Sequence, residues 1–136
     1  GYTVFAGCLA VSSRAQLHTQ VKSMPANTRG VIQPLRLDVT SHVEVDGAVD
    51  QVRAWLTGSD SRRLLAVVNN AGVGSGGLID WLSIADFERD MAVNYFGSIR
   101  VTKACLPLLK DAAGVTASNP RGQTPRPRVV MIASMA

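Results

Sequence analysis

The sequence contains few of the residues on which several classes of protein depend. Only two of its 136 residues are cysteines, and only 5% are aromatic. Cys8 and Cys105 have no metal-ligand spacing and form no disulfide framework, which favours a reducing intracellular compartment. The fourteen basic residues, against ten acidic ones, are mostly scattered, which argues against nucleic-acid binding. No apolar run approaches the roughly 20 residues of a membrane-spanning helix.

The sequence also lacks the features of a complete beginning and end. It opens on GYTVFAGCLA without a methionine, and it closes on RVVMIASMA, a strand-like segment that stops where a serine emerges. We therefore expect an internal piece of a larger protein. Its length is sufficient for one core at most, and residues 1–136 are predicted to form one partial domain.

Strand-like and helix-like segments alternate along the chain. Helical spacing of apolar residues is present in the segments between the predicted strands. This alternation is typical of βαβ units and predicts an α/β fold with a parallel, doubly wound sheet. Strands are predicted at residues 2–7, 31–39, 64–70 and 129–134, and helices at about 12–22, 42–56 and 83–110.

Local patterns refine this prediction. Pro34 indicates that the second strand lies near a sheet edge, and the continuous apolar run at 64–70 is typical of a strand covered on both faces. Ser41 and Glu44 have the spacing of a capping box. Residues 111–127 contain three prolines and two glycines without periodicity, so they are predicted to form a mobile surface loop. Trp55 and Trp81 are interpreted as packing residues, and the alternative for Trp81, which follows the glycine-rich loop, is a place at the border of a substrate site.

Polar or small residues stand at the ends of three predicted strands. Asp38 follows the second, Asn69 to Gly72 (NNAG) follow the third, and Ser134 ends the last. Ligands of open α/β sheets bind outside the carboxyl ends of the strands. The three strand ends therefore predict a single crevice.

With these motifs the chain resembles the short-chain dehydrogenase/reductase family. NNAG (69–72), LDVT (37–40), VNYFG (93–97) and VVMIAS (129–134) occur in the family's order and spacing. VFAGCLA and VTKACLPLL are most similar to the branch of retinol, 17β-hydroxysteroid and 3-hydroxybutyrate dehydrogenases. The resemblance implies a Rossmann-like sheet that lacks its first strand, with a gap at the centre and two unpaired strand edges.

The resemblance also implies cofactor contacts. Asp38 would accept a hydrogen bond from the adenine amino group, and Val39 would pack against the adenine ring. Asn69 would brace neighbouring strands, while Asn70, Ala71 and Gly72 would lie along the ribose and nicotinamide. Cys8 stands where NAD-preferring members often carry an acid for the ribose hydroxyls. The alternatives are an Asp38 that caps the next helix and a plain turn at the asparagines.

Two residues match catalytic positions of the family. Ser134 would hydrogen-bond the substrate oxygen as charge develops on it. Asn94, on a stripe with Phe87, Met91 and Val101, is expected to be buried, where an unpaired amide costs about 1–3 kcal/mol; the family uses it to hold a water in a proton relay. The alternatives are a serine that merely ends a strand and a core asparagine without a catalytic role.

Two of the family's features are missing from this sequence. Its general acid/base is a tyrosine with a lysine four positions later, which neither Tyr2 nor Tyr95 provides. The glycine-rich phosphate loop after the first strand is absent as well, and GVGSGG at 72–77 is interpreted as shaping the substrate side instead. We expect both to lie in the parent protein outside this piece, and the piece alone to be poorly stable and inactive.

The implied parent is an oxidoreductase that transfers a hydride between NAD or NADP and a secondary alcohol or ketone. The resemblance favours NAD and an apolar substrate such as a steroid or retinoid. It also implies a homo-oligomer, with membrane association of the parent left open, and neither a metal nor a nucleic acid as partner. The alternatives are a non-catalytic nucleotide-sensing or scaffolding domain on the same fold and a flavodoxin-like module, for which no acidic pocket or flavin loop is visible.

Overall fold

The strands and helices alternate as the sequence predicts. The computed structural model describes residues 2–25, 30–114, 118–119 and 126–133. The fold is a partial, Rossmann-like α/β fold. Its elements are β1 (Tyr2–Cys8), α1 (Val11–Lys22), β2 (Gly30–Arg36), α2 (His42–Thr57), β3 (Ala66–Asn69), α3 (Ile84–Met91), a π-helical turn here called the π segment (Ala92–Gly97), α4 (Ser98–Ala113) and β4 (Arg128–Met131).

The four strands form two separate parallel pairs. β1 pairs with β2 from Tyr2↔Gly30 to Cys8↔Arg36, and β3 pairs with β4 from Ala66↔Arg128 to Asn69↔Met131. Within the described part of the chain, no ladder joins β1 to β3. This separation agrees with a sheet that has a gap at its centre. It also leaves β2, with its proline, at an outer edge, as predicted.

The core lies where α2 and α4 pack against each other and against the strands. The Phe5 ring of β1 meets the Trp55 ring of α2 edge to face, with the centroids 5.6 Å apart, and Trp55 is a packing residue as interpreted. α2 and α4 supply most of the buried apolar side chains because their apolar residues recur at helical spacing. The buried apolar residues are Leu35, Val45, Ala48, Val49, Val67, Leu108, Leu109 and Ala113.

The prediction that β3 is covered on both faces is wrong. Val67 and Asn69 are buried, but the alternate residues Ala66 and Val68 are exposed, Val68 by 58%. Successive side chains of a strand point to opposite faces. α4 packs against β3, and the described residues leave the other face open.

The two predicted helix starts differ in their chemistry. The Ser83 hydroxyl accepts from the Asp86 amide, and the Asp86 carboxylate accepts from the Ser83 amide, a complete capping box. Ser41 also accepts from the amide of Glu44. The Glu44 carboxylate, however, bonds the amide of Asp38 at 2.8 Å and Arg36 Nε at 3.2 Å. The predicted capping box is therefore only half formed.

The helix that begins after Ser83 runs without a break from α3 through the π segment into α4. Because a π turn contains more residues than an α turn, it rotates α4 relative to α3 and breaks the predicted apolar stripe. Phe87 and Met91 are 39% and 48% exposed, whereas Leu108 is buried. α4 extends to Ala113, so 111–113 of the predicted loop 111–127 are helical, and 115–117 and 120–125 lie outside the described residues.

Trp81 differs from Trp55 in its surroundings. Trp81 is 74% exposed, so its interpretation as a packing residue is wrong; it lies in the turn after the glycine-rich loop, where no described element covers it.

Of the helices in the described ranges, none has the length and apolar character to cross a membrane.

Candidate active site

Asn69 ends β3 with a buried side chain. Its Nδ2 donates to Thr102 Oγ1 of α4 at 3.0 Å and lies 3.2 Å from the Met131 sulfur of β4. Its carbonyl accepts from the amide of Ile132 at 2.9 Å. A buried amide without partners is costly, and here the partners belong to a neighbouring strand and a helix. Asn69 therefore joins β3, β4 and α4.

The loop that follows Asn69 is attached to the π segment by Asn94. Asn94 Oδ1 accepts from the Val73 amide at 2.9 Å, and its Nδ2 donates to the Val73 carbonyl at 2.8 Å. A Cβ on Gly72 would lie 3.5 Å from Asn94 Oδ1. The Asn94 side chain thus fixes the backbone beside the NNAG turn.

The expectation that Asn94 is buried is wrong. Like Phe87 and Met91, which precede the π segment on the same helix, Asn94 is exposed. Its polar groups are nevertheless paired with backbone, as an asparagine at this place requires. π turns inside α-helices occur frequently at functional sites, and this one positions the amide at the loop.

Asp38 lies in the turn between β2 and α2. Its Oδ1 accepts from the Thr40 amide at 2.8 Å and from the Thr40 hydroxyl at 2.7 Å. These two bonds to Thr40 hold the pKa of Asp38 below its ordinary value of 3.8, helped by the charges of Arg36 and Arg100. The carboxylate is therefore ionised at neutral pH. Ser41 rather than Asp38 caps α2, so the alternative that Asp38 caps this helix is wrong.

Val39 packs closely against the start of α4. A Cβ on Gly97 would lie only 2.6 Å from Val39 Cγ2, so the close contact requires a glycine there. The Arg100 guanidinium donates through Nη1 to the Val39 carbonyl. The turn that carries Asp38 is thereby attached to the same helix that carries Asn94.

Cys8 ends β1 next to this turn. Its carbonyl accepts from the Leu37 amide at 3.0 Å, and its half-buried thiol lies 3.6 Å from the carbonyl of Ala6. A Cβ on Gly7 would lie 2.6 Å from Leu37 Cδ2, so the glycine permits the turn to approach the strand. The end of β1, where the resemblance implies an acid for the ribose hydroxyls, therefore carries a thiol.

Comparison with known proteins identifies the family. The model of the short chain dehydrogenase family matches residues 1–136. The chain belongs to the short-chain dehydrogenase family. It is 37% identical over 112 residues to 3beta-hydroxysteroid dehydrogenase dhs-16 of Caenorhabditis elegans, covering 82% of this chain and 28% of that protein.

Two other relatives confirm the branch that the sequence resembles. The chain is 35% identical over 137 residues to 17-beta-hydroxysteroid dehydrogenase type 2 of Homo sapiens (98% of this chain, 33% of the relative). It is 39% identical over 116 residues to retinol dehydrogenase 5 of Mus musculus (84% and 33%). The chain spans about a third of the length of the curated relatives that it matches.

Two solved structures have the same fold over most of this chain. NADPH-bound carbonyl reductase from chicken fatty liver superposes with a TM-score of 0.68 at 29% identity, over 82% of this chain and 42% of that one. LigO from Sphingobium sp. strain SYK-6 superposes with a TM-score of 0.74 at 19% identity, over 97% and 42%, which supports the fold alone.

The predicted site residues of this short-chain dehydrogenase segment form two groups along one helix. Cys8, Asp38 and Val39 form the first group, and Val39 contacts Gly97 and Arg100. Asn69 to Gly72 form the second group, in which Asn69 bonds Thr102 and the residue after Gly72, Val73, bonds Asn94 of the same helix. Ser134 lies outside the described residues, so its position remains a prediction.

The residues present fit a nicotinamide dinucleotide. Asp38 offers an ionised carboxylate whose Oδ2 accepts no hydrogen bond from the described residues. Asn70, Ala71 and Gly72 are exposed, and a Cβ on Gly74 or Gly76 would meet nothing within 4 Å. The backbone of the loop is therefore open to a second molecule. The described residues contain no group of three or more potential metal ligands.

Several residues of this site were not predicted from the sequence. Arg100, Thr102 and Gly97 contact the predicted residues from the helix, and their patterns in the sequence are those of an ordinary amphipathic helix. Asp90 bonds the glycine-rich loop. It lies four positions before Asn94, and this i, i+4 spacing was the signal that it shares a helix face with that residue.

Proposed function

We propose that this chain forms the cofactor-binding half of the active site of an NAD(P)-dependent oxidoreductase. The reaction is the oxidation of a secondary alcohol to a ketone, or its reverse. The alcohol carbon loses a hydride to the nicotinamide, and the hydroxyl loses a proton. Membership of the short-chain dehydrogenase family supports the reaction class, and the dehydrogenases among its relatives agree with it.

One observation carries the proposal: the Asn94 amide fixes the Val73 backbone directly beside the NNAG turn. This attachment joins a catalytic candidate to the strand end expected to border the nicotinamide. In the proposed site, Asp38 and Val39 bind the adenine, and Asn70 to Gly72 line the ribose and nicotinamide. Asn69 braces that turn against the neighbouring strand, Asn94 holds a water of the proton relay, and Ser134 hydrogen-bonds the substrate oxygen.

For the finer assignments, we propose NAD as the preferred cofactor and an apolar alcohol or ketone, such as a steroid or retinoid, as the substrate. The relatives named for steroid and retinol substrates support the substrate class. The resemblance to the branch of retinol, 17β-hydroxysteroid and 3-hydroxybutyrate dehydrogenases supports NAD, whereas a neighbour in complex with NADPH favours the phosphorylated cofactor. In the proposed site, Cys8 stands where a ribose-binding acid would favour NAD. The KM values for NAD⁺ and NADP⁺ therefore decide between the two cofactors.

The test uses the full product of the gene. Purified protein is mixed with NAD⁺ or NADP⁺ and a panel of steroid, retinoid and short secondary alcohols, and formation of the reduced nicotinamide is followed by its absorbance. We expect turnover with at least one apolar alcohol and a lower KM for NAD⁺. Cofactor binding without turnover would instead support a nucleotide-sensing domain, and no binding would contradict both.

Asn94→Ala tests the site itself. It removes two hydrogen bonds to Val73, each worth about 1 kcal/mol, so we expect kcat/KM to fall about tenfold or more. Gln51→Ala is the matched control, because among the described residues this amide bonds only the carbonyl of Gly47 within its own helix. An Asn94→Ala enzyme with unchanged kcat/KM would remove Asn94 from the proposed site.

A further inference from the structure

A second attachment of the glycine-rich loop involves residues outside the predicted site. Ser75, two residues after Val73, donates its amide to Asp90 Oδ2 of α3 at 2.8 Å. Its hydroxyl accepts from Arg89 Nη2 at 2.6 Å. Backbone and side chain of Ser75 are thus both bonded to adjacent residues of one helix.

Arg89 and Asp90 are themselves held in a small charged network. Arg89 Nη1 lies 3.3 Å from Asp86 Oδ1, and Arg89 Nη2 lies 3.6 Å from Asp90 Oδ1. Asp86 is fixed in turn by its capping box with Ser83. The network therefore begins at the first turn of α3 and ends on the loop.

The Asp90 side chain is only 22% exposed, and its buried Oδ1 accepts no hydrogen bond from the described residues. A partly buried carboxylate is costly unless charges or donors compensate it. An apolar side chain would avoid this cost at the same helix position. What the carboxylate supplies here is a charge-assisted acceptor for the Ser75 amide, a stronger bond than a neutral acceptor forms.

The two attachments determine the direction in which the loop faces. Asn94 holds Val73, Asp90 holds Ser75, and the two side chains are four residues apart on one continuous helix. A Cβ on Gly74 or Gly76 would meet nothing within 4 Å. One side of the loop is therefore fixed to the helix, and its glycines face open space, where a bound molecule can approach the backbone.

We propose that Asp90, with Arg89, is a positioning residue that sets the substrate-side wall of the active site by fixing Ser75. This inference rests on the proposed function. Asn94 already holds the loop at Val73, next to the turn proposed to border the cofactor. Release of Ser75 alone therefore loosens the part of the loop farther from the cofactor, and its effect falls on the alcohol or ketone.

The test compares variants of the full gene product. For Asp90→Ala we expect the KM for the alcohol to rise about tenfold, the size expected from loss of a hydrogen bond to a charged group. We expect kcat and the cofactor KM to change less than about twofold, since neither depends on Ser75. Asp90→Asn keeps an acceptor oxygen and should restore most of the substrate affinity. Glu88→Ala, at an exposed acid of the same helix without a bond to the loop among the described residues, is the matched control.

Amide hydrogen exchange at Ser75 reports the attachment without any turnover. We expect faster exchange in Asp90→Ala and wild-type exchange in Glu88→Ala. If Asp90→Ala fails to fold, Arg89→Met, at a residue 58% exposed, replaces it, with an expected rise in the alcohol KM of about threefold.

The outcomes separate the two proposals. An active enzyme whose alcohol KM is unchanged in both variants overturns the inference alone, as does an equal rise in the KM values of alcohol and cofactor. A wild-type protein without cofactor binding overturns the proposed function and this inference with it. A selective rise in the alcohol KM that Asp90→Asn reverses supports both.

Discussion

Asn69 and Asn70 are adjacent in the sequence, yet their surroundings differ completely. Asn69 points into the protein and bonds Thr102 of α4, whereas Asn70 is exposed. Alternation along a strand end explains the difference, because successive side chains point to opposite faces. The same motif therefore combines a structural amide with one that is free to meet a ligand.

This difference predicts opposite results for two alanine substitutions. Asn69→Ala should lower the free energy of unfolding by about 1–3 kcal/mol, because it removes a buried donor and leaves the Thr102 hydroxyl without it. Asn70→Ala should change it by less than about 0.5 kcal/mol, as exposed substitutions usually do. Urea unfolding of the full gene product measures both values, and equal losses would contradict the bracing role.

At the residue scale, the sequence predicted which polar residues stand at the strand ends better than it predicted burial. The strand-end positions of Asp38 and Asn69 follow from apolar runs that stop at polar residues. The exposure of Asn94 could not be predicted, since helical periodicity identifies a stripe of apolar residues but not whether another element covers it. Arg100 was missed for a related reason: its bond to the Val39 carbonyl joins residues 61 positions apart.

At the scale of elements, the spacing of a capping box in the sequence does not ensure that both of its hydrogen bonds form in the structure. Ser83 and Asp86 form a reciprocal box, whereas Glu44 turns from Ser41 to the amide of Asp38 and to Arg36. The difference lies in the preceding residues. The turn before α2 offers a charged partner and a free amide, and a carboxylate bonds such groups more strongly than neutral ones.

The close approach of the helix at Gly97 to the turn after β2 predicts that alanine substitutions at two glycines change the free energy of unfolding in opposite directions. Gly97→Ala should destabilise the protein by about 1–3 kcal/mol through overpacking, because the new Cβ would lie 2.6 Å from Val39 Cγ2. Gly47, inside α2, has nothing within 4 Å of the corresponding position. Gly47→Ala should stabilise by about 0.5–1 kcal/mol through helix propensity.

Thermal unfolding of the two variants beside the wild type measures this difference. If Gly97→Ala melts at or above the wild-type temperature, the close contact between Val39 and the π segment is not present in solution. If only Gly47→Ala fails, by melting below the wild-type temperature, then the surroundings of Gly47 in α2 differ from those described. That result would not contradict the close contact at Gly97.

At the scale of the whole molecule, the two strand pairs present apolar surface where a soluble domain normally covers it. Because the described strands form two separate pairs, each of the four has one edge without a partner among the described residues. Unpaired strand edges and large exposed apolar areas promote association between chains. Exposed apolar residues of these strands and the adjoining segments include Tyr2, Val4, Leu65, Val68, Val129, Val130, Met131 and Ile132.

We therefore expect the 136-residue chain alone to be poorly stable, inactive and prone to self-association. Sedimentation should show concentration-dependent association, and heating should give no cooperative transition. Val68→Lys places a charge on the open face of β3 and should reduce association, as charges on exposed strands do in natural proteins. Val43→Lys makes the same change on α2, at a side chain already 82% exposed, and should leave association unchanged. A monomeric chain with a cooperative melt and measurable alcohol oxidation would contradict this prediction, because such a chain would have to stabilise its unpaired strand edges by itself.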